Sequence, residues 1–295
     1  MLDLLGHGGI ASVYRVRHVE LGSLHALKLL ELRRGQVRER LLDEGRAQAT
    51  LVHPNVVRVT DVLIHDDAPV LVMELVDGPS LDRYVLRHKR LELAEARSLA
   101  IGITRGLRAA HASGLVHRDL KPGNVLLAPN DRGAAVPVPK LSDFGLVKVL
   151  RDDQRRLRTP TRTGIAMGTP EFMAPEQIRD AAGVDARADL YSLGCVLYAM
   201  VTGRLPFTGD GLTDLFDRIV AGAFPRPSAV APGVPPTLDA LIVRLLRADP
   251  AERPQSCDEV LATLTDPRSG VPSGPSTIHP GALLATAVTA GPAWP

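Results

Sequence analysis

The period of the hydrophobic pattern changes at Gly78-Pro79, and this switch constrains the fold more than any other feature of the chain. Upstream, apolar residues recur at every second position in short runs: Ser12 to Val19, Leu24 to Leu30, Val56 to Ile64 and Pro69 to Leu75. Such runs are half-buried strands, and Gly22 supplies the turn between the first two, so an antiparallel sheet is expected. Between them, Gln36 to Val52 has helical composition and is stopped by His53-Pro54-Asn55, because proline pushes the residue before it out of the helical region. Downstream, Leu99, Ile103, Leu107 and Ala110 form a helical stripe ended by Gly114. A second stripe, Leu190, Leu193, Leu197, Met200 and Val201, ends at Gly203. Its intervening residues are also apolar, so this helix is expected to be buried on most sides. Further helices are expected at Leu212 to Ala221, Pro236 to Leu246 and Ser256 to Leu264. The pattern predicts an α+β protein: a small antiparallel-sheet lobe with one main helix (residues 1–77) against a larger helical lobe (78–265). Ligands bind in clefts between such lobes. From 266 to 295 the chain is rich in proline, glycine, serine and alanine without periodicity, and a flexible tail is expected.

Composition narrows the functional classes. The chain is 45% hydrophobic and 23% charged, which excludes disorder throughout. Formal charge is +2 with no long basic block, so no nucleic-acid partner is expected. Two cysteines, Cys195 and Cys257, are too few for a disulfide framework or a zinc site, and a reducing cytoplasm is the expected location. Met1-Leu2-Asp3-Leu4-Leu5 lacks the cationic head of a signal peptide. The late apolar run from Gly281 to Ala290 is too short to span a bilayer, so no membrane segment is expected.

The chemistry lies in His117-Arg118-Asp119-Leu120-Lys121-Pro122-Gly123-Asn124, followed by Asp143-Phe144-Gly145 and Ala174-Pro175-Glu176. Asp119 is a candidate proton acceptor for a hydroxyl, and Lys121 can balance charge on a transferred phosphoryl group. Asn124 and Asp143 present the hard oxygen ligands that magnesium prefers. Isolated aspartate and asparagine are more often turn formers, but a string also carrying His117, Arg118 and Lys121 is not explained that way. Gly6-His7-Gly8-Gly9-Ile10-Ala11-Ser12-Val13 lies between strand candidates, where glycines let backbone N–H groups approach phosphates. Alone it is equally a hairpin turn. Lys28, at the end of a strand, can neutralise phosphate oxygens. Glu44 on the following helix is expected to pair with it, since the alternative, Asp43, would face about 100° away.

In that order these elements resemble the bacterial eukaryotic-like (Hanks-type) serine/threonine protein kinases, over roughly residues 1 to 265. The resemblance implies a two-lobed protein-kinase fold, ATP and magnesium as cofactors, and transfer to serine or threonine of protein substrates. It implies that Met73, Glu74 and Val76 form the hinge, with backbone groups of Glu74 and Val76 on adenine and Val13, Ala26 and Leu126 about its ring. Gly6, His7, Gly8, Gly9, Ala11 and Lys28 would serve the phosphates. Lys28, Glu44, Asp119 and Lys121 are the implied catalytic set, Asn124 and Asp143 the metal ligands, and Thr169 part of the substrate platform. Glu176 and Arg253 are expected to pair, and Asp189 to hold the catalytic loop. Lys121 and Thr169 resemble serine/threonine rather than tyrosine kinases. Arg118 beside Asp119 suggests control by phosphate on segment 146 to 168. By resemblance the sites are Thr161 and Thr163, autophosphorylated with self-association as a route.

The chain departs from the family pattern at several points. Little of the opening strand is expected, because Met1 lies so close to Gly6. Ala11 replaces a third glycine, Gln48 stands at an apolar spine position, and Gly45 weakens its helix by about 1 kcal/mol relative to alanine. Ala128 to Lys140 reads as a proline-rich surface loop. Two rival classes share these motifs: a nucleotide-binding pseudokinase scaffold, and a small-molecule phosphotransferase. The Thr169 and Ala174-Pro175-Glu176 region reads as a protein-substrate platform and disfavours the second.

Overall fold

The computed structural model describes residues 1–8, 11–30, 42–43, 45–66, 68–130, 136–144, 169–179 and 183–270. The small lobe is a five-stranded antiparallel sheet in the order β1-β2-β3-β5-β4, built from β1 (Asp3–Gly8), β2 (Ala11–Arg17), β3 (Leu24–Leu30), β4 (Val59–His65) and β5 (Ala68–Glu74). Residues 42–43 and 45–49 are helical. In the large lobe follow α1 (Leu81–His88), α2 (Leu93–Ala112), the hairpin β6 (Val125–Ala128) and β7 (Val138–Leu141), and α3 (Pro175–Arg179). The rest is α4 (Ala186–Thr202), α5 (Leu212–Ala221), α6 (Pro227–Val230), α7 (Pro236–Leu245) and α8 (Cys257–Thr265).

Four expectations need correction. The opening strand is present: β1 pairs with β2 from Asp3↔Arg15 to Gly8↔Ala11, and Leu2 N–H donates to Arg15 O. A register shift between Leu4 and Gly6 carries the strand through glycines that had read as loop. The excursion from Ala128 to Lys140 is not all loop, because Val138–Leu141 pairs with β6. A two-stranded ribbon has only edges, so Pro139 sits there without cost to an inner ladder. β4 starts at Val59 rather than Val56, because Val57 N–H donates to Leu141 O of β7 instead. The stretch expected to be tail from 266 begins with a turn over Pro267–Ser269, capped where Arg268 N–H donates to Asp266 Oδ1. Residues 271–295 lie outside the described residues.

The core of the large lobe gathers on α2 and α4. Leu99, Ile103, Leu107 and Ala110 are fully buried, and every residue of α4 from Ala188 to Val201 is buried. Both helices stop where glycine takes a left-handed conformation: Gly114 at φ +74° and Gly203 at φ +70°. The lobes are stitched by Asn55, whose Nδ2 donates to Pro139 O (2.9 Å) while its carbonyl accepts from Leu141 N–H (2.9 Å). This strut crosses α2 at Gly106, where a Cβ would lie 2.6 Å from Asn55 O. Gly106→Ala should therefore force the strut off α2 and destabilise by about 1–3 kcal/mol. Thermal unfolding should show a drop of several degrees, against little change for Gly183→Ala, whose Cβ meets nothing within 4 Å.

Candidate active site

Strand alternation decides where Lys28 points. Ala26, Lys28 and Leu30 are the buried positions of β3, so the lysine faces inward with its apolar neighbours. Its Nζ donates to Asp143 Oδ1 at 2.6 Å. Burial alone would push the Asp143 carboxyl up, but the Lys28 charge and hydrogen bond, helped by His117 and Lys121, outweigh it and hold the group below the usual carboxylate range. Asp143 adopts φ +66°, a strained backbone for a non-glycine residue. Glu44, the expected partner of Lys28, lies outside the described residues. Asp43 is exposed and pairs with Arg46 at 3.1 Å.

Opposite Lys28, Asp119 Oδ2 lies 3.1 Å from Lys121 Nζ and accepts from Asn124 Nδ2 at 3.0 Å. Asn124 Nδ2 also donates to Asp119 O (2.8 Å), and the Asn124 carbonyl accepts from Ser142 N–H (2.9 Å), next to Asp143. The loop is held from beneath by Asp189 of α4. Its Oδ2 accepts His117 N–H and its Oδ1 accepts Arg118 N–H, both at 2.8 Å. Arg118 adopts φ +66°, and its guanidinium donates to Val184 O at 3.2 Å. The His117 ring packs on Phe144 with centroids 4.5 Å apart. Thr161 and Thr163, named as phosphate acceptors for Arg118, lie outside the described residues.

The residues expected around adenine converge. Ala26 and Met73 belong to one buried apolar cluster with Val57, Val59 and Leu71, and Val13, Val76 and Leu126 pack against it. Leu126 comes from β6 of the large lobe, so the cluster spans the lobe boundary. Gly6 and Gly8 lie in β1, and a Cβ on Gly6 would meet nothing within 4 Å, leaving its backbone accessible. His7 Nδ1 and Ser12 Oγ are 2.9 Å apart across the hairpin, and Ala11 is buried opposite Gly8. Gly9 lies outside the described residues.

The polar groups fit a hard divalent cation. Nδ2 of Asn124 is committed as a donor to Asp119, and Oδ1 is the acceptor atom of the same amide. Asp143 commits Oδ1 to Lys28 and retains a second oxygen. One amide and one carboxylate oxygen leave most of an octahedral shell to phosphate and water, as magnesium requires.

Further out, Arg253 is fully buried and every guanidinium N–H is paired. Nη1 and Nη2 hold Glu176 at 2.6 and 2.7 Å, and the carbonyls of Arg247, Arg187 and Ala248 take the remainder. Thr169 heads a 3₁₀ turn, its carbonyl accepting from Phe172 N–H. Two contributors escaped sequence reasoning. Gln177 joins Arg118 O to Ala174 N–H through its side-chain amide. Lys140 of β7 holds Glu74 of the hinge at 2.8 and 3.0 Å. Alternation in β7 sets Lys140 on the face opposite Leu141, but its partner is remote in sequence.

Comparison with known proteins agrees with this arrangement. Residues 1–264 match the family model described as protein kinase domain. The chain is 40% identical over 260 residues to the DNA damage-responsive serine/threonine-protein kinase RqkA of Deinococcus radiodurans, covering 87% of this chain and 37% of that protein. It is 38% identical over 252 residues to the serine/threonine-protein kinase Pkn1 of Myxococcus xanthus, covering 84% and 35%. The chain thus spans little more than a third of the length of these relatives. A crystal structure of Rad53 residues 1–466 in complex with AMP-PNP superposes with a TM-score of 0.73 at 27% identity, covering 88% of this chain and 62% of that one.

The depressed Asp143 carboxyl has a measurable consequence. Its folded value lies below the unfolded one, so its stabilising contribution is complete above the unfolded value, about 3.9, and is lost as pH falls through the folded value. In metal-free buffer, the stability gap between the parent and Asp143→Asn should be flat from about pH 8 to pH 5 and shrink below about pH 4. Urea unfolding across that range measures it.

Proposed function

The chain belongs to the protein kinase family, and on that premise we propose that it transfers the γ-phosphoryl group of ATP to serine or threonine hydroxyls of proteins. The observation that carries the reading is the gathering of Asp119, Lys121, Asn124 and Asp143 with buried Lys28, together with the apolar cluster of Ala26, Met73, Val13, Val76 and Leu126. The relatives' names as serine/threonine-protein kinases, and the nucleotide analogue of the Rad53 complex, support it.

In this mechanism Asp119 accepts the proton of the substrate hydroxyl. The hydroxyl oxygen bonds to the γ-phosphorus as the bond to the β–γ bridging oxygen breaks, and ADP leaves. Lys121 balances charge on the phosphoryl in flight. Lys28 exchanges Asp143 for α- and β-phosphate oxygens. Asn124 Oδ1 and the second Asp143 oxygen would hold magnesium, which supplies charge neutralisation on the phosphates. Glu44 orients Lys28, and backbone groups of Glu74 and Val76 meet adenine. Arg118 receives phosphate from Thr161 or Thr163 in place of the Val184 carbonyl, with a second copy of the chain as donor kinase. The buried free cysteines suit a reducing cytoplasm.

Label from γ-labelled ATP should appear on protein, and its appearance only on a small metabolite, or nowhere, would overturn the reading. Asp119→Asn should lose about 10²- to 10⁴-fold in turnover while keeping its ATP affinity, because it removes a proton acceptor and no phosphate contact. Asp143→Ala should in addition weaken magnesium-dependent nucleotide binding, read by calorimetry with and without the metal. The Thr161→Ala, Thr163→Ala double variant should stay at the activity of unphosphorylated parent after ATP treatment.

A further inference from the structure

From Asp189, beneath the catalytic loop, runs a chain of contacts with no part in the mechanism above. Oδ2 of Asp189 accepts His117 N–H and also faces Nε2 of His111, in the last turn of α2, at 2.8 Å. The other ring nitrogen of His111, Nδ1, lies 3.5 Å from Sγ of Cys257, the first residue of α8. Thiol, imidazole and carboxylate thus stand in line, contributed by three helices far apart in sequence.

The direction of each hydrogen bond follows from what each group can do. An ionised carboxylate only accepts, so His111 Nε2 carries a hydrogen. In a neutral imidazole the opposite nitrogen is then an acceptor, and the group facing it has to be a donor. Cys257 is buried, and its thiol is pushed up to about 12, first by burial and then by the charges of Asp189 and Asp258, so it keeps its proton at neutral pH. The order is S–H to Nδ1, then Nε2–H to Asp189, then Asp189 to the backbone N–H groups of His117 and Arg118. Without the S–H donor, Nδ1 loses its partner, and the His111 ring is held from one side, through its Nε2–H on Asp189. The ring can then tilt about that one bond, and Asp189 loses a fixed donor. Arg118 at φ +66° depends on Asp189 for its conformation, so a shift there reaches Asp119, the next residue.

We infer that Cys257 is a positioning residue for phosphoryl transfer: its S–H anchors the His111 ring through Nδ1 with Nε2–H directed at Asp189, and His111 in turn holds Asp189 on the loop that carries Asp119. The effect on turnover rests on the kinase reading above, whereas the tautomer and the loop anchoring do not.

Three measurements on the whole chain test it. Nitrogen-15 NMR of the parent at neutral pH should show His111 protonated on Nε2 and bare on Nδ1. Cys257→Ala should lower kcat by roughly fivefold, the worth of one neutral hydrogen bond, and change KM for ATP by less than about twofold. Cys257→Ser, which restores a donor, should recover kcat. Amide exchange at His117 and Arg118 should quicken in Cys257→Ala and return in Cys257→Ser. A His111 protonated on Nδ1, singly or together with Nε2, overturns the proposal, as does a Cys257→Ala protein with parental kcat and parental exchange. If the alanine variant melts too low to assay, the serine variant decides: it must keep both the tautomer and kcat, and loss of either counts against the proposal. If the parent itself transfers no phosphate, the kinase reading fails, and the tautomer and exchange measurements still judge this one.

Discussion

Asp189 is the interaction on which the site depends. A non-glycine residue held in a sparsely populated backbone region costs about 1–3 kcal/mol, and Arg118 at φ +66° is such a residue. A hydrogen bond to a charged acceptor contributes about 1.5–3 kcal/mol, and Asp189 accepts one from His117 N–H and one from Arg118 N–H. Two such bonds outweigh the strain. The loop is therefore held in its conformation by a carboxylate on a helix buried along nearly its whole length, and Gln177 takes the Arg118 carbonyl from the opposite side. Because α4 cannot shift without disturbing the core, the position of the proposed base Asp119 inherits the rigidity of the large lobe.

Glu176 and Arg253 apply the same logic further from the cleft. A buried ion pair gains little over an apolar replacement, because desolvation consumes most of the attraction, while loss of one partner costs about 3–5 kcal/mol. The role of this pair is accordingly to specify geometry. A fully buried guanidinium with all donors engaged joins α3 to the carbonyls of residues 187, 247 and 248, and the Tyr191 ring lies 4.9 Å from its centre. The segment that follows Thr169 is thereby anchored to the same helical core as the catalytic loop.

Among the described residues the small lobe reaches this frame through the apolar cluster that takes in Leu126, Val57 N–H on Leu141 O, the Asn55 strut, Lys140 on Glu74, and Lys28 on Asp143. The last joins a β3 side chain that alternation turns inward to a carboxylate that is itself on a strained backbone. Since Asp143 and the phosphates of a bound nucleotide would compete for the Lys28 ammonium, this contact is where ligand binding would act on the relation between the lobes.

Much of this was legible in the chain. The change of hydrophobic period separated sheet from helices because burial on one face imposes a period of two on strands and 3.6 on helices. The order of the motifs identified the family because each motif is local: Asp119, Lys121 and Asn124 lie within one loop, and their chemistry is readable without knowing the fold. What only the tertiary structure decided is everything that joins residues remote in sequence. The partner of Lys28 among the described residues is Asp143, β1 continues through its glycines, Val138–Leu141 pairs as a strand, and Lys140, Gln177 and His111 find partners contributed by other elements. Periodicity tells which face of an element is buried, but which partner waits there depends on how the elements pack, and packing energies sum over the whole core rather than residing in any segment.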